Sequence, residues 1–161
     1  MMLKALPAAV LLAGLTACAD TPRPDAPPAG ETIAMSVGPC FGFCPVYSVE
    51  AKPGGQVVFV GERHTAVEGR REAQAPAGGY AAVARSLAPY RPATGTSAQT
   101  TCDRQATDMS HYTVVWTAAD GAQTTLNHDG GCMSAQNARL MEALKATPAR
   151  LGVEGWVRKP N

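Results

Sequence analysis

Two stretches of this chain alternate apolar and polar side chains around a glycine turn, and that pattern constrains the fold more than any other feature. Residues 46–51 (VYSVEA) set Tyr47, Val49 and Ala51 on one face, Lys52-Pro53-Gly54-Gly55 supplies a turn, and residues 57–60 (VVFV) return. Residues 111–117 (HYTVVWT) set Tyr112, Val114 and Trp116 on one face, Asp120-Gly121 turns, and residues 124–128 return. Period-two alternation of β-branched and aromatic residues around such turns reads as a β-hairpin. The more polar residues 65–74 supply a third, edge strand.

Each hairpin is followed by a helical pattern. Over residues 77–88 the side chains of Tyr80, Val83, Ala84 and Leu87 fall at i, i+3, i+4 and i+7, and Pro89 ends the run. Ser134 is placed as an N-cap before a second helix that carries Leu140, Met141 and Leu144 and is expected to stop at Pro148. An antiparallel sheet with both helices on one face would bury these stripes together. The expected fold is therefore α+β, built from two hairpin-helix units, with Leu151, Val153 and Trp156 returning along an edge to close the core.

The amino terminus reads as an address rather than as fold. Residues 1–17 carry one basic residue, Lys4, then an apolar run too short to span a bilayer comfortably, then small residues. Leu15-Thr16-Ala17-Cys18 resembles the bacterial lipobox, in which the signal peptide is removed and the cysteine becomes lipidated. Cys18 is thus the expected lipidation site and palmitate-like acyl chains the expected anchor, each buried methylene contributing roughly 0.8 kcal/mol. Retention in the inner membrane is associated with aspartate directly after the lipidated cysteine. Ala19 stands there instead, which favours the periplasmic face of the outer membrane. Residues 18–31 hold four prolines and no large apolar side chain, so they read as a tether able to reach roughly 40 Å at about 3.1 Å per residue. Residues 32–161 then form one domain.

Fourteen basic and thirteen acidic residues are well mixed and give a net charge of +1, so no basic stripe exists to recommend nucleic acid as a partner. The expected partners are the membrane, through the lipid anchor, and an envelope protein.

The opening of the folded region, Gly38-x-Cys40-Phe41-Gly42-x-Cys44-Pro45-x-Tyr47, resembles a family of bacterial envelope proteins known only as a domain of unknown function. Thr107-Asp108 before the second hairpin, Gly131-Cys132 after it and Trp156 near the end extend the resemblance over roughly residues 33–158, with Met109 standing where that family often has leucine-proline. The resemblance implies an envelope location and carries no catalytic residue.

Setting Cys18 aside leaves Cys40, Cys44, Cys102 and Cys132, an even number in an exported chain, which suggests disulfides with three connectivities open. Local pairing, Cys40 with Cys44 and Cys102 with Cys132, is the leading expectation, and crossed pairings stay open. Fully extended, residues four apart lie about 13 Å from one another. A Cys40–Cys44 bridge therefore needs the intervening segment to loop, and Gly42 is the residue able to take a positive φ.

The alternative is a thiol-disulfide or copper-handling role for Cys40 and Cys44. Catalytic dithiols use two intervening residues at a helix amino terminus, whereas here there are three before a proline and a strand. Cys-x-x-x-Cys-Pro also occurs in Sco-type copper chaperones, and thiolates with His64, His111 or His128 would suit Cu(I). Those chaperones have a βαβ order that this chain does not show. His111 and His128 could approach each other across the second hairpin near Asp129, but neither they nor any other group is assigned to metal. Motifs for a nucleophile elbow, a zinc protease or a phosphate loop are lacking. No cofactor is expected, no residue is assigned as catalytic, and the chain leans away from enzymes. Phe41 and Phe43, flanking Gly42, are either anchors of a binding loop or part of the domain's own packing.

Overall fold

The computed structural model of the protein describes residues 30–158, so the signal sequence, Cys18 and most of the tether lie outside the described residues. The chain is α+β. Strands β1 (Thr32–Val37), β2 (Val46–Ala51), β3 (Gln56–Arg63) and β4 (Gly69–Gln74) form an antiparallel meander. Helix α1 (Gly79–Leu87) and a single 3-10 turn (Ala88–Tyr90) follow, then a short strand β5 (Ser97–Gln99) and β6 (Arg104–Gln105). The second hairpin is β7 (His111–Thr117) and β8 (Gln123–Asp129), after which come β9 (Cys132–Met133), α2 (Ala135–Arg150) and α3 (Glu154–Val157). The main sheet has the order β4-β3-β2-β1-β7-β8-β5, antiparallel except where β5 runs parallel to β8, and β6 pairs with β9 in a small separate ladder.

Strand β1 joins the two halves. Sequence alternation marked the β2–β3 and β7–β8 hairpins and the edge strand β4, but the hairpin-helix repeat assigned no element to residues 32–37. Ile33, Met35 and Val37 alternate inward, and β1 sits between β2 and β7. The first unit is accordingly a four-stranded meander, and the two halves share one continuous sheet.

Cross-strand register arranges the inner face of the sheet in three rows. One holds Val57, Ala51, Ile33, Trp116 and Thr124; the next Phe59, Val49, Met35, Val114 and Leu126; the last Gly61, Tyr47, Val37, Tyr112 and His128. Helices α1 and α2 lay Val83, Ala84, Leu87, Leu140 and Leu144 on this face, and these side chains join those of the sheet in one core. Burial of this apolar area, at roughly 25 cal/mol per Å², is what holds the helices to the sheet.

Four expectations are corrected. Pro148 does not stop α2, which continues to Arg150. Proline removes one backbone donor; here it sits within the last turn, and its own carbonyl accepts from the Val153 amide at 2.9 Å. Leu151, Val153 and Trp156 are not an edge strand. Leu151 and Val153 are buried behind the end of α2, and Trp156 lies in α3 against the Phe59 ring at 5.7 Å. Glu31, assigned to the tether on composition, belongs to the fold: its side chain is 4 % exposed and receives two hydrogen bonds from Arg91, at 2.6 and 3.1 Å. A glutamate with no apolar neighbour in sequence looks like tether, and only a cation 60 residues away makes its burial tolerable.

The last correction concerns the histidines. His111 and His128 stand in adjacent strands, but the register sets His111 opposite Asp129 and His128 opposite Tyr112. They therefore lie on opposite faces of the sheet, His111 exposed and His128 2 % exposed. His128 Nδ1 is 2.8 Å from the Thr100 hydroxyl, and its Nε2 is sealed without a partner. Burial pushes the imidazole pKa below its ordinary 6.5, opposed by the neighbouring Asp129 carboxylate. Above about pH 6.5 the ring is neutral in both the folded and the unfolded chain and adds no pH dependence to stability. Below that value the unfolded chain takes up a proton that the folded state refuses, so stability falls as pH drops towards the folded pKa. The urea midpoint of the full chain should decline more steeply than that of His128→Gln as pH falls below about 6.5; parallel curves for the two would refute this linkage.

Candidate functional site

The inner-face row that ends the sheet, Gly61-Tyr47-Val37-Tyr112-His128, is not fully roofed by the helices, and a groove of about 1000 Å³ opens beside it. Its floor is Val37 with a tyrosine on either side. Tyr47 and Tyr112 both pair with Val37 across neighbouring strands, so all three point to the same face and line the groove together. Strand spacing separates the two tyrosine backbones by about 10 Å.

The first wall is the Cys40–Cys44 loop. The two cysteines are bridged with their Cα atoms 5.8 Å apart, and Gly42 takes φ 135°, as the looped geometry requires. The Phe41 amide donates to the Asp108 carbonyl at 3.0 Å, and the Gly38 amide donates to the His111 carbonyl at 2.8 Å. These bonds fasten the loop to the start of the second hairpin. Phe41 and Phe43 point out of it, each 89 % exposed, and Met109 beside them is 45 % exposed. Phe43 meets the His64 ring edge-on at 5.2 Å. His64 and Asp108 are the two non-glycine residues with positive φ among the described residues, and both line the groove.

The opposite wall is helical. Met141, Lys145 and Pro148 recur along one face of α2, and Val157 and Arg158 end α3. A strap over residues 65–67 holds this end in place, with the Val67 amide donating to the Trp156 carbonyl at 3.0 Å and the Ala66 amide to that of Val157 at 3.3 Å. Gly61 makes the strap feasible, because a Cβ there would run into the Val67 carbonyl.

The phenols give the groove its polar character. Tyr47 is 7 % exposed, and neither its hydroxyl nor that of Tyr112 has a hydrogen-bond partner among the described residues or is sealed from solvent. Burial raises the pKa of both, with the nearby Arg158 guanidinium opposing the shift in each case. Both are therefore neutral donors at physiological pH.

The second disulfide lies elsewhere. Cys102 and Cys132 are bridged with Cα atoms 4.9 Å apart, next to the β6–β9 ladder. Asn137, 5 % exposed in the first turn of α2, donates from Nδ2 to the Thr101 carbonyl at 2.9 Å and the Cys132 carbonyl at 3.0 Å. Ser134 caps that helix as expected, its hydroxyl accepting from the Asn137 amide at 3.0 Å.

Local pairing of the four cysteines is thus what the structure shows. In this structure both sulfurs of Cys40 and Cys44 are in a disulfide, and copper binding would first require its reduction to thiolates. Among the described residues, no three His, Cys, Asp or Glu side chains are grouped to hold a metal ion. Sequence reasoning singled out Phe41, Phe43 and their stapled loop. It missed Tyr47, Tyr112, Lys145 and Arg158 as groove residues, and no local signal marked them, since both tyrosines read as core positions of their strands.

No curated protein and no solved structure matches this chain. Residues 31–148, from the buried Glu31 to the last turn of α2, match a family described as a domain of unknown function (DUF6438), and the chain belongs to that family.

Proposed function

We propose that this protein is a lipid-anchored binding domain of a bacterial cell envelope, attached through Cys18 and displaying the groove to a partner protein. The carrying observation is that two phenylalanines, each 89 % exposed, are held out by a disulfide at the mouth of a cavity of about 1000 Å³. Large apolar side chains in contiguous exposed patches mark interaction surfaces, and aromatics fixed on a short stapled loop lose little conformational freedom when a partner covers them.

Chain direction supports the same reading. The tether precedes β1 at Thr32, and β1 runs for six residues towards Val37 in the groove floor, a rise of about 20 Å. A domain attached at residue 18 would therefore present the groove at the end of the sheet remote from its attachment. The outer membrane's periplasmic face is the location that fits Ala19 after the anchor cysteine.

Photo-crosslinking in intact cells from a probe at position 43 is the test. A discrete adduct is expected from position 43 and none from position 125, on the uncovered face of the sheet. Phe41→Ser with Phe43→Ser should reduce capture by about tenfold or more. Melting temperature should stay within about 2 °C, since exposed side chains seldom change stability by more than about 0.5 kcal/mol. Unchanged capture with a lowered melting temperature would mean that the two rings serve the fold instead.

A further inference from the structure

The groove carries a chemical preference that its apolar mouth alone does not explain. Two phenolic hydroxyls without partners face a space that also contains two basic side chains, Lys145 and Arg158, and neither cation makes an ion pair among the described residues. The acidic groups lining the same space are Asp108 and Glu154. Asp108 accepts a hydrogen bond from the Thr107 hydroxyl at 3.1 Å and belongs to the wall of the stapled loop. Glu154 opens α3, one turn before Arg158. Arg158 lines the same space as both phenols, and its charge opposes the effect of burial on each of them. Two neutral O–H donors and a guanidinium lining one groove form a donor set for an oxyanion, and charge-assisted hydrogen bonds of this kind are roughly twice as strong as neutral ones.

We propose that the groove recognises an acidic peptide segment of the partner, a carboxylate side chain seated over Val37 between Tyr47, Tyr112 and Arg158, with a neighbouring large apolar side chain against Phe41 and Phe43. This rests on the reading of the groove as a protein-binding surface and names the chemistry of what it binds. A peptide suits the cavity better than a compact small molecule. Its volume lies at the upper end of the range for small-ligand sites, it is open to solvent, and its apolar wall projects away from the polar floor, so that one ligand must offer an anion and an apolar group some distance apart. Lys145 on the rim adds attraction at longer range without a fixed partner.

The experiment pans a phage-displayed random heptapeptide pool against the immobilised full-length protein and measures binding of the enriched peptides by fluorescence polarisation. Expected are peptides with Asp or Glu within two positions of Phe, Leu, Trp or Tyr. Their affinity should fall about tenfold or more on Arg158→Gln, and fall again when the peptide's own acid is changed to its amide. Tyr47→Phe and Tyr112→Phe remove only the hydroxyls and should each weaken binding several-fold. Added salt should weaken binding to the wild type more than to Arg158→Gln. Peptides that need Phe41 and Phe43 but are neutral or basic, or that are indifferent to Arg158→Gln, would overturn the anion preference and leave the binding surface standing. If no peptide is retained, or retention survives Phe41→Ser with Phe43→Ser, the binding surface itself is refuted and this inference with it.

Discussion

Arg91→Met is expected to cost the folded state about 3–5 kcal/mol, measured by urea unfolding of the full chain at neutral pH. The Glu31 and Arg91 side chains are only 4 % and 12 % exposed, and the guanidinium meets the carboxylate through two nitrogens. The same guanidinium donates to the Pro92 carbonyl and to the Thr94 and Thr124 hydroxyls, joining the start of β1, the turn after α1 and strand β8. Removing it strands a carboxylate away from water, and the penalty is that of an unpaired buried charge rather than the net worth of the pair. Glu31→Leu combined with Arg91→Met should accordingly recover most of the loss. A single variant that loses less than about 1 kcal/mol, or a double variant as unstable as the single, would show that water reaches the pair and compensates it.

Cys102→Ala with Cys132→Ala should cost nearly as much, about 4 kcal/mol, against about 2 kcal/mol for Cys40→Ala with Cys44→Ala. The difference comes from the chain each bridge encloses. Their sequence separations are 30 and 4, and in the chain-entropy treatment a longer loop removes more freedom from the unfolded state. The longer loop contains the whole β7–β8 hairpin, so its release frees a structural unit. Asn137 keeps its bonds to the Thr101 and Cys132 carbonyls in the variant, which should limit local rearrangement. Non-reducing urea curves at one pH decide the matter. The expectation fails if the Cys40–Cys44 variant is the less stable of the two, or if the Cys102–Cys132 variant matches the wild type.

The contrast between the bridges also bears on the groove. A five-residue ring stabilises the whole protein only modestly, yet it holds Phe41 and Phe43 outward. Its sequence signature is loud because several special residues crowd together: two cysteines, the glycine that takes positive φ and the proline that leads into β2. The floor and helical wall of the same groove have no such signature. Tyr47 and Tyr112 look like ordinary members of alternating strands, and Arg158 like any charged residue near a chain end.

Secondary structure was legible to different degrees for related reasons. The hairpin strands and the N-cap Ser134 follow local rules of alternation, turn residues and capping. Strand β1 carries the same alternation in Ile33, Met35 and Val37, but its partners are non-local, and it has no turn residue joining it to β7. Residues 151–157 are apolar enough for a strand, and tertiary packing decided that they wrap behind α2 instead.

By itself, then, the sequence determined the α+β class, the two hairpins and the amphipathic stripes of both helices, because each depends on contacts within about a dozen residues, while the cysteine pairing stayed open until the structure joined Cys40 to Cys44. Tertiary structure alone decided that β1 joins the halves, that Glu31 is buried on Arg91, that His111 and His128 part to opposite faces, and that two tyrosines and Arg158 line one groove. Those outcomes depend on cross-strand register and on partners as much as 60 residues apart in sequence, and a one-residue change of register would send every side chain of a strand to the other face.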